Sequence, residues 1–284
     1  MALITPFDPW KNELCTCPSK YSLSAYTGCG HGCLYCYASS YIRNFFIPRA
    51  KKDFINRLKK EIKKLPPKSF LAMANSSDPY TPEDSKLKLT RKALEILKNY
   101  QIRLMLVTKS SLILRDIDIL KDIKHLVVSI SITTLDKGLS KKLEPNAPLG
   151  LMRLKTMEKL AKITNVVCRF DPLIYPLNTK NIKKTIKALK NAGAKQVITS
   201  TYKAKPDNLK RMMNIFRRQD SVWRKLYIKK GSKKKNNIYL PLNLRKYLIN
   251  EVRIAALSEK LEFSSCREGF VSLNTVNCDG SSFF

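Results

Sequence analysis

Three cysteines with the spacing of a metal-binding loop lie near the start of the chain. Cys29, Cys33 and Cys36 occur in TGCGHGCLYCYA (27–38), with three and then two residues between them. Thiolates bind iron–sulfur clusters, and a four-iron cluster that receives only three of them keeps one iron open to a small chelating molecule. Glycines in the same stretch let the loop turn tightly enough for the three sulfurs to converge.

A structural zinc ion is the alternative occupant of this loop. Zinc takes four ligands, and His31 is the nearest candidate for the fourth. Because His31 lies between Cys29 and Cys33, it is too close to both in sequence to complete an ordinary tetrahedron. The spacing therefore favours an iron–sulfur cluster at these three cysteines.

The chain of 284 residues is strongly basic. It has 54 Lys and Arg residues against 22 Asp and Glu residues, which gives a formal net charge of +32. Such an excess favours a polyanionic partner, and we expect that partner to be a nucleic acid, either tRNA or DNA. The alternative explanation is a lysine-rich composition that serves no polyanionic ligand.

The rest of the composition is typical of a globular protein of a reducing compartment. Hydrophobic residues make up 44% of the chain, which is enough to bury a core. No apolar run approaches the ~18 residues of a membrane span, so we expect no association with a membrane. The first residues lack the basic start and long apolar stretch of a secretory signal. Eight cysteines without such a signal favour the cytoplasm, where clustered thiols more often bind metal than form disulfides.

Short apolar runs alternate with amphipathic segments along most of the chain. Strands are predicted at 22–28, 69–75, 102–108, 126–132, 165–170 and 195–201, and helices at 86–100, 114–123, 151–163, 179–193 and 206–218. About six βα units with nearly continuous apolar strands indicate an α/β fold with a parallel sheet covered by helices. A full eightfold barrel usually takes about 250 residues, so we predict a partial (βα)6 barrel of the TIM type.

We divide the chain into three segments around this barrel. A leader (1–20) precedes the barrel (21–225), and 226–284 contains a lysine-rich loop, a long helix and a cysteine-containing tail packed on the barrel. In barrels of this kind the loops at the carboxyl ends of the strands carry the chemistry. The cysteine loop and the polar segments NSSDPYTPED, TKS, SITT and RFDP all fall at those ends.

The cysteine loop resembles the signature of a known enzyme superfamily. Cys29, Cys33 and Cys36 match the CxxxCxxC motif of radical SAM enzymes, with the aromatic Tyr35 just before the third cysteine. The resemblance implies a [4Fe–4S] cluster whose open iron binds S-adenosylmethionine (SAM). It also implies a one-electron reductant and a 5′-deoxyadenosyl radical that takes a hydrogen atom from the substrate.

Further segments resemble one branch of this superfamily, the spore photoproduct lyase-like proteins, also called DNA repair photolyase homologues. The segments are YSLSAYTGCGHGCLYCYA, SSDPYTPED, TKSSLILRDIDIL and EPNAPLGLMRL, and the likeness extends from about residue 10 onwards. It implies that Tyr35 lies near the adenine of SAM and that Lys109 and Ser131 help to hold the cofactor. The turn implied to face the methionyl part consists of Asn75, Ser76, Ser77 and Asp78.

The chain departs from the lyase at the residue that donates hydrogen. In the lyase a cysteine at the end of the second strand returns a hydrogen atom to the thymine dimer product, whereas the equivalent Asn75 has no thiol. Cys168 is a candidate donor from another strand, and the alternative is a small buried core residue. Arg169 and Asp171, at the end of that strand, are candidates for contacts with SAM or substrate, or for a mutual ion pair.

Four other cysteines form a second pattern at the two ends of the barrel. Cys15 and Cys17 precede it, and Cys266 and Cys278 lie in the tail. Two plus two thiols are a full ligand set for an auxiliary iron–sulfur cluster or for zinc. The alternative is four unrelated thiols, since CTC is tighter than the usual zinc spacing.

Three functional hypotheses remain on the sequence alone. The favoured one is a radical SAM enzyme that acts on nucleic acid, in RNA modification or DNA repair. Trp223, Tyr227 and Tyr239 lie among basic residues, a mixture that lets bases stack while phosphates are neutralised. The second hypothesis keeps the radical chemistry with a protein or small-molecule substrate. The third is a nucleic-acid-binding protein that is stabilised by a cluster and has no turnover, and the SAM-facing segments argue against it.

Overall fold

One sheet of eight strands organises the described part of the chain. The computed structural model describes residues 2–7, 14–73 and 76–284. The strands are β1 (Thr5–Pro6), β2 (Tyr21–Leu23), β3 (Phe70–Met73), β4 (Arg103–Thr108), β5 (Leu126–Ser131), β6 (Asn165–Leu173), β7 (Gln196–Thr201) and β8 (Glu262–Ser265). They lie side by side in that order. Strands β2 to β8 run parallel to one another, and β1 pairs antiparallel with β2.

Helices connect the parallel strands and cover one face of the sheet. They are α1 (Phe54–Ile62), α2 (Asp84–Leu87), α3 (Leu89–Leu97), α4 (Ile117–Leu120), α5 (Lys137–Leu143), α6 (Gly150–Leu160), α7 (Ile182–Asn191), α8 (Pro206–Ile215), α9 (Asp220–Trp223) and α10 (Leu242–Ser258). Short 3-10 turns occur at Ala38–Ser40, Ser111–Asp116, Arg217–Gln219, Val271–Leu273 and Ser281–Phe283. None of the helices in the described ranges is long and apolar enough to cross a membrane.

Side chains alternate between two hydrophobic cores because successive residues of a strand point to opposite faces. The larger core lies between the sheet and the helices and includes Leu104 and Val166. A smaller core fills the other face, with Met105 and Val167 among its members. Burial on both faces explains why the strand sequences are nearly continuously apolar.

The predicted partial barrel is confirmed, and the sheet extends beyond it at one edge. Strand β8 is a seventh parallel strand that pairs with β7, Phe263 lying opposite Val197. It belongs to the segment that we placed after the barrel. Its sequence, EFSS, is too short and too polar to be recognised as a strand before the structure is known.

Some predicted helices are shorter or divided. The one predicted at 86–100 is two helices, α2 and α3, separated at Lys88, whose φ of 53° is left-handed and interrupts the helical path. The one predicted at 114–123 begins as a 3-10 turn before α4. The predicted long helix is α10.

The lysine-rich segment is folded, and its aromatic residues are internal. Arg224–Lys229 is a π-helix, and a hairpin of Ser232–Lys234 with Asn237–Tyr239 follows it, in place of the predicted loop. Trp223, Tyr227 and Tyr239 are 0%, 1% and 0% exposed. The prediction that they stack with bases is therefore wrong: their position in the core leaves no ring face for a ligand.

Candidate active site

The cysteine loop follows β2 and depends on glycine for its first turn. Gly28 has a φ of +90°, and a β-carbon there would lie 2.5 Å from the carbonyl oxygen of Phe45. The backbone N–H of Cys29 donates to that same oxygen over 2.7 Å. Only glycine fits such a left-handed, closely packed position. Cys29 and Cys33 are consequently buried, and Cys36 is half-buried.

A buried carboxylate, Glu144, connects the cysteine loop to the barrel. It accepts hydrogen bonds from the hydroxyls of Tyr35 and Thr133, the latter over 2.8 Å, and from the guanidinium of Arg153. Burial alone would raise the pKa of Glu144, but Arg153, Lys109 and these hydrogen bonds lower it to about 2. The carboxylate therefore stays charged and orients Tyr35 within the loop.

Helix α8 and the segment after α5 fix the rest of the loop. Arg211 donates to the carbonyl oxygens of Leu34, over 3.2 Å, and Cys36, over 3.3 Å. The side-chain amide of Asn146 donates to the carbonyl oxygen of Gly30 over 2.9 Å. These bonds satisfy backbone groups that would otherwise be unpaired in a buried loop, so they hold its shape.

The three thiols share a buried environment, and cations lie near two of them. Burial raises the pKa of Cys29 to about 12, and it raises the pKa values of Cys33 and Cys36 as well. The Lys109 ammonium opposes the effect at Cys33 and Cys36. Thiols of this kind bind a metal only as they lose their protons, which the charge of the metal itself makes favourable.

A cavity of about 460 Å³ opens beside the loop. Five of the residues predicted to face SAM line it, namely Tyr35, Ser76, Lys109, Ser131 and Arg169. The Lys109 ammonium lies 4.0 Å from the Glu144 carboxylate and 5.9 Å from the centre of the Tyr35 ring. The volume falls in the range of small-molecule sites, which is about 300–1,000 Å³.

Two further residues of the predicted methionyl turn, Ser77 and Asp78, are not among the residues that line this cavity. Ser77 is buried. The carboxylate of Asp78 accepts hydrogen bonds from the Thr108 hydroxyl over 2.6 Å and from the Lys109 backbone N–H over 2.7 Å. Asp78 thus fixes the end of β4, where the Lys109 side chain begins. Asn75 lies outside the described residues.

His31 has a structural environment. It is buried, with Nδ1 3.5 Å from the Asp78 carboxylate, and burial lowers its pKa. Within the described ranges, no group of three or more His, Cys, Asp or Glu side chains is already arranged around a single metal ion. Thiolates of a four-iron cluster bind different irons and need not meet at one point.

Cys168 lies on the helix side of the sheet. It is fully buried in the larger core, and burial raises its pKa to about 12. Its neighbour Arg169 points to the other face and lines the cavity. The hydrogen-donor role of Cys168 stays a prediction, and its position does not support it.

The four remaining cysteines come together at the far side of the cavity. Cys17 Sγ lies 3.6 Å from Cys278 Sγ. Cys15 lies close to Cys17, and Cys266 lies close to Cys278, and Cys15, Cys17 and Cys266 all line the cavity. Arg169, which pairs with Asp171 over 3.5 Å, also lies near Cys266. A shared metal at these thiols stays a prediction.

Sequence reasoning missed the residues that position the loop. Glu144 and Asn146 lie in EPNAPLGLMRL, a segment that we connected with the family without giving any of its residues a role. Arg153 belongs to the same segment and is 1% exposed. A charged pair nine positions apart is visible in the sequence, but its burial depends on contacts between distant elements.

The comparison with family models decides the family. The model of the radical SAM superfamily matches residues 23–217, which include the cysteine loop and strands β3 to β7. The chain belongs to the radical SAM superfamily.

Two relatives of this radical SAM protein extend the comparison. The uncharacterized protein MJ0683 of Methanocaldococcus jannaschii is 32% identical over 146 residues, which are 50% of this chain and 55% of that one. The uncharacterized protein ORF301 of Acidianus two-tailed virus is 25% identical over 232 residues, 74% of each chain. The radical SAM chain thus spans about half the length of its archaeal relative.

Solved structures share the fold. A spore photoproduct lyase variant with bound AdoMet and dinucleoside spore photoproduct superposes with a TM-score of 0.70 at 17% identity, covering 90% of this chain and 79% of that one. Streptococcus suis SuiB bound to its precursor peptide SuiA superposes with a TM-score of 0.55 at 15% identity, covering 86% and 48%. At these identities the likeness shows the fold, a partial barrel of the radical SAM type.

The residues of the loop fit the cluster that the family implies. Cys29, Cys33 and Cys36 provide three thiolates, the donors that iron–sulfur clusters use. Gly30 is also closely packed, since a β-carbon there would lie 2.9 Å from a Glu83 carboxylate oxygen.

Proposed function

We propose that this radical SAM enzyme acts on a nucleic acid, in RNA modification or DNA repair. The observation that carries the proposal is the charge of its cavity. Among the described residues that line it are five cations and two carboxylates, Asp171 and Asp279. The cations are Lys20, Lys109, Arg169, Lys203 and Arg267. In a chain of net charge +32, such a cavity attracts phosphate groups.

Cys29, Cys33 and Cys36 would hold a [4Fe–4S] cluster, and the cavity would hold SAM. Tyr35, Ser76, Lys109 and Ser131 are the residues that we assign to SAM, because they share one cavity beside the loop. Asp78 acts as a positioning residue through its hydrogen bonds to Thr108 and Lys109. Bound together and given one electron by an external reductant, the cluster and SAM supply a 5′-deoxyadenosyl radical that takes a hydrogen atom from the substrate.

The protein's own contribution is to bind, orient and exclude water. The Lys109 ammonium is in position to pair with a carboxylate such as that of SAM, at the cost of its 4.0 Å contact with Glu144. The Tyr35 hydroxyl is fixed by Glu144, so its ring stays as a rigid wall of the cavity. Fixed walls hold reacting groups in a productive geometry and keep water away from them.

The solved structures of similar fold bind two classes of substrate. One lyase structure contains a dinucleoside spore photoproduct, and SuiB is bound to a precursor peptide. We favour the nucleic acid for this chain because cations outnumber carboxylates among the described residues that line its cavity. A protein or small-molecule substrate is the alternative that the experiment must distinguish.

The first experiment measures 5′-deoxyadenosine formation by the anaerobically reconstituted and reduced protein with SAM. We expect product from the wild type and none from a variant with Cys29→Ala, Cys33→Ala and Cys36→Ala. Cys168→Ala is the matched control: it removes a buried thiol, and because a hydrogen donor to the product would act after SAM has been cleaved, 5′-deoxyadenosine formation should stay intact. Failure of the wild type with a full complement of iron, with and without tRNA and ultraviolet-damaged DNA, would contradict the proposed enzyme.

The same protein then tests the substrate class. We expect tRNA or damaged DNA to bind with an affinity that falls as salt rises, because phosphate contacts release counterions. Formation of 5′-deoxyadenosine should increase when the correct nucleic acid is added. Product formation that no nucleic acid stimulates, together with no nucleic-acid binding at low salt, would favour the peptide or small-molecule substrate.

A further inference from the structure

The four thiols beyond the cysteine loop form a compact group although they are far apart in sequence. Cys17 and Cys278 are 261 positions apart, and their sulfurs lie 3.6 Å from each other. Cys15 lies close to Cys17 and Cys266 lies close to Cys278, and Cys15, Cys17 and Cys266 line the same cavity. Thus two thiols of the leader meet two thiols of the tail, as metal-binding pairs do.

Positive side chains surround this group. The Lys20 ammonium, whose side chain is 4% exposed, lies near Cys17 and Cys278 and pairs with Asp279. The guanidiniums of Arg169 and Arg267 lie near Cys266. Four thiolates around a divalent ion carry a net charge of about −2, so neighbouring cations stabilise such a centre.

The distance between sulfurs indicates which metal would fit. A tetrahedron with zinc–sulfur bonds of about 2.3 Å has edges of about 3.8 Å. The measured 3.6 Å between Cys17 and Cys278 is close to that edge. A four-iron cluster would attach each thiolate to a different iron and hold the sulfurs farther apart. A disulfide would bring them to about 2 Å.

We propose that Cys15, Cys17, Cys266 and Cys278 form a tetrahedral site for a single zinc ion. Among the described residues, these side chains are not already arranged around a single metal ion. Binding therefore requires the outer thiols, Cys15 and Cys266, to turn towards the central pair, and each bound thiol releases its proton to solvent. The site depends on neither SAM nor the substrate.

The zinc ion would tie the leader to the tail and form part of the cavity wall. Cys15, Cys17 and Cys266 line the same cavity as Lys109 and Ser131. The ion would therefore hold Lys20 and Arg267, which come from the leader and the tail, in their places at the cavity. This is a role in shaping the substrate site and not in cleaving SAM.

Metal analysis of anaerobically purified full-length variants tests the proposal. The variant with Cys29→Ala, Cys33→Ala and Cys36→Ala lacks the first site, so any remaining metal reports on the second. We expect it to retain about one zinc per chain, with no iron and no acid-labile sulfide. Adding Cys17→Ser and Cys278→Ser should remove the zinc, whereas adding Cys168→Ala instead should leave it. Iron with sulfide, or a chain without zinc, would overturn the proposal.

The serine substitutions could remove the metal simply by unfolding the protein. A spectroscopic measurement on a variant that keeps all four proposed ligands avoids this ambiguity. Cobalt is introduced into the chelator-treated triple alanine variant, in which all four proposed ligands are native. We expect the intense visible d–d bands and thiolate-to-cobalt charge transfer of a tetrahedral four-sulfur site. A weak octahedral spectrum, or thiols recovered as a Cys17–Cys278 disulfide under anaerobic conditions, would contradict the zinc site.

Discussion

One buried carboxylate, that of Glu144, helps to fix the shape of the active site although it lies far from the cysteines in the sequence. It is 1% exposed and joins Tyr35, Thr133 and Arg153 in a single network. Buried charges of this kind are tolerated because each is paired and hydrogen-bonded. The network makes the shape of the cysteine loop dependent on a segment more than 100 residues away.

Replacing Glu144→Gln should destabilise the protein by about 3–5 kcal/mol, because Arg153 would keep a buried charge without its partner. Urea unfolding at neutral pH measures this loss. Glu158→Gln on the exposed side of α6 is the matched control, and we expect its effect to stay within about 0.5 kcal/mol. Equal stabilities of the two variants would contradict the role of the network.

The contribution of Glu144 should also depend on pH. Its pKa is about 2 in the folded protein and 4.5 as the ordinary value, so protonation favours the unfolded chain. The stabilisation is therefore fully present above about pH 4.5 and is lost as the pH falls towards 2. We expect the stability difference between wild type and Glu144→Gln to shrink over that interval. A difference that is constant with pH would contradict this assignment.

At the scale of elements, the turn before Cys29 should be the most sensitive part of the loop. Gly28→Ala would place a β-carbon 2.5 Å from the Phe45 carbonyl oxygen and would strain a φ of +90°. We expect a lower iron content after reconstitution and little SAM cleavage. Iron content and 5′-deoxyadenosine formation are the measurements.

Gly138→Ala is the matched control for that substitution. Gly138 is exposed in α5, and its added β-carbon would make ordinary contact with Asp136 at 3.5 Å. Because alanine favours a helix over glycine by about 0.5–1 kcal/mol, we expect unchanged iron content and equal or higher stability. Equal iron loss in both variants would show that the effect at Gly28 is not local.

The sequence alone was sufficient to predict those elements that a local pattern of residues determines. Strands β4 to β7 have continuous apolar runs, and the cysteine loop has its own spacing, so both were predictable. Strand β8 was not, because its four residues acquire their strand conformation by pairing with β7. The burial of Trp223 and Tyr227 depends in the same way on packing between distant segments, and composition suggested an exposed surface instead.

At the scale of the whole molecule, the net charge of +32 should govern the affinity of the protein for a nucleic-acid substrate and the salt dependence of that affinity. The Lys205 ammonium lies 5.6 Å from the ring centre of Tyr41, a residue that lines the cavity. We expect Lys205→Gln to weaken nucleic-acid binding and to reduce the slope of log affinity against log salt by about 1. Filter binding over a salt series measures both quantities.

Lys92→Gln provides the comparison, because it removes the same charge from the exposed surface of α3 in the helical layer. We expect it to change the affinity less than Lys205→Gln does and to leave the salt slope nearly unchanged. Equal effects of the two substitutions would show that the charge acts as a diffuse field, without phosphate contacts at the cavity.

The group of four thiols also imposes an order on how the protein is made. The cysteine loop meets its anchors, Glu144 and Arg211, as soon as α8 has left the ribosome. Cys17, by contrast, must wait until Cys278 has been translated before the two can meet. A chain translated only as far as α8 would therefore contain both anchors of the cysteine loop but not the tail thiol that Cys17 contacts.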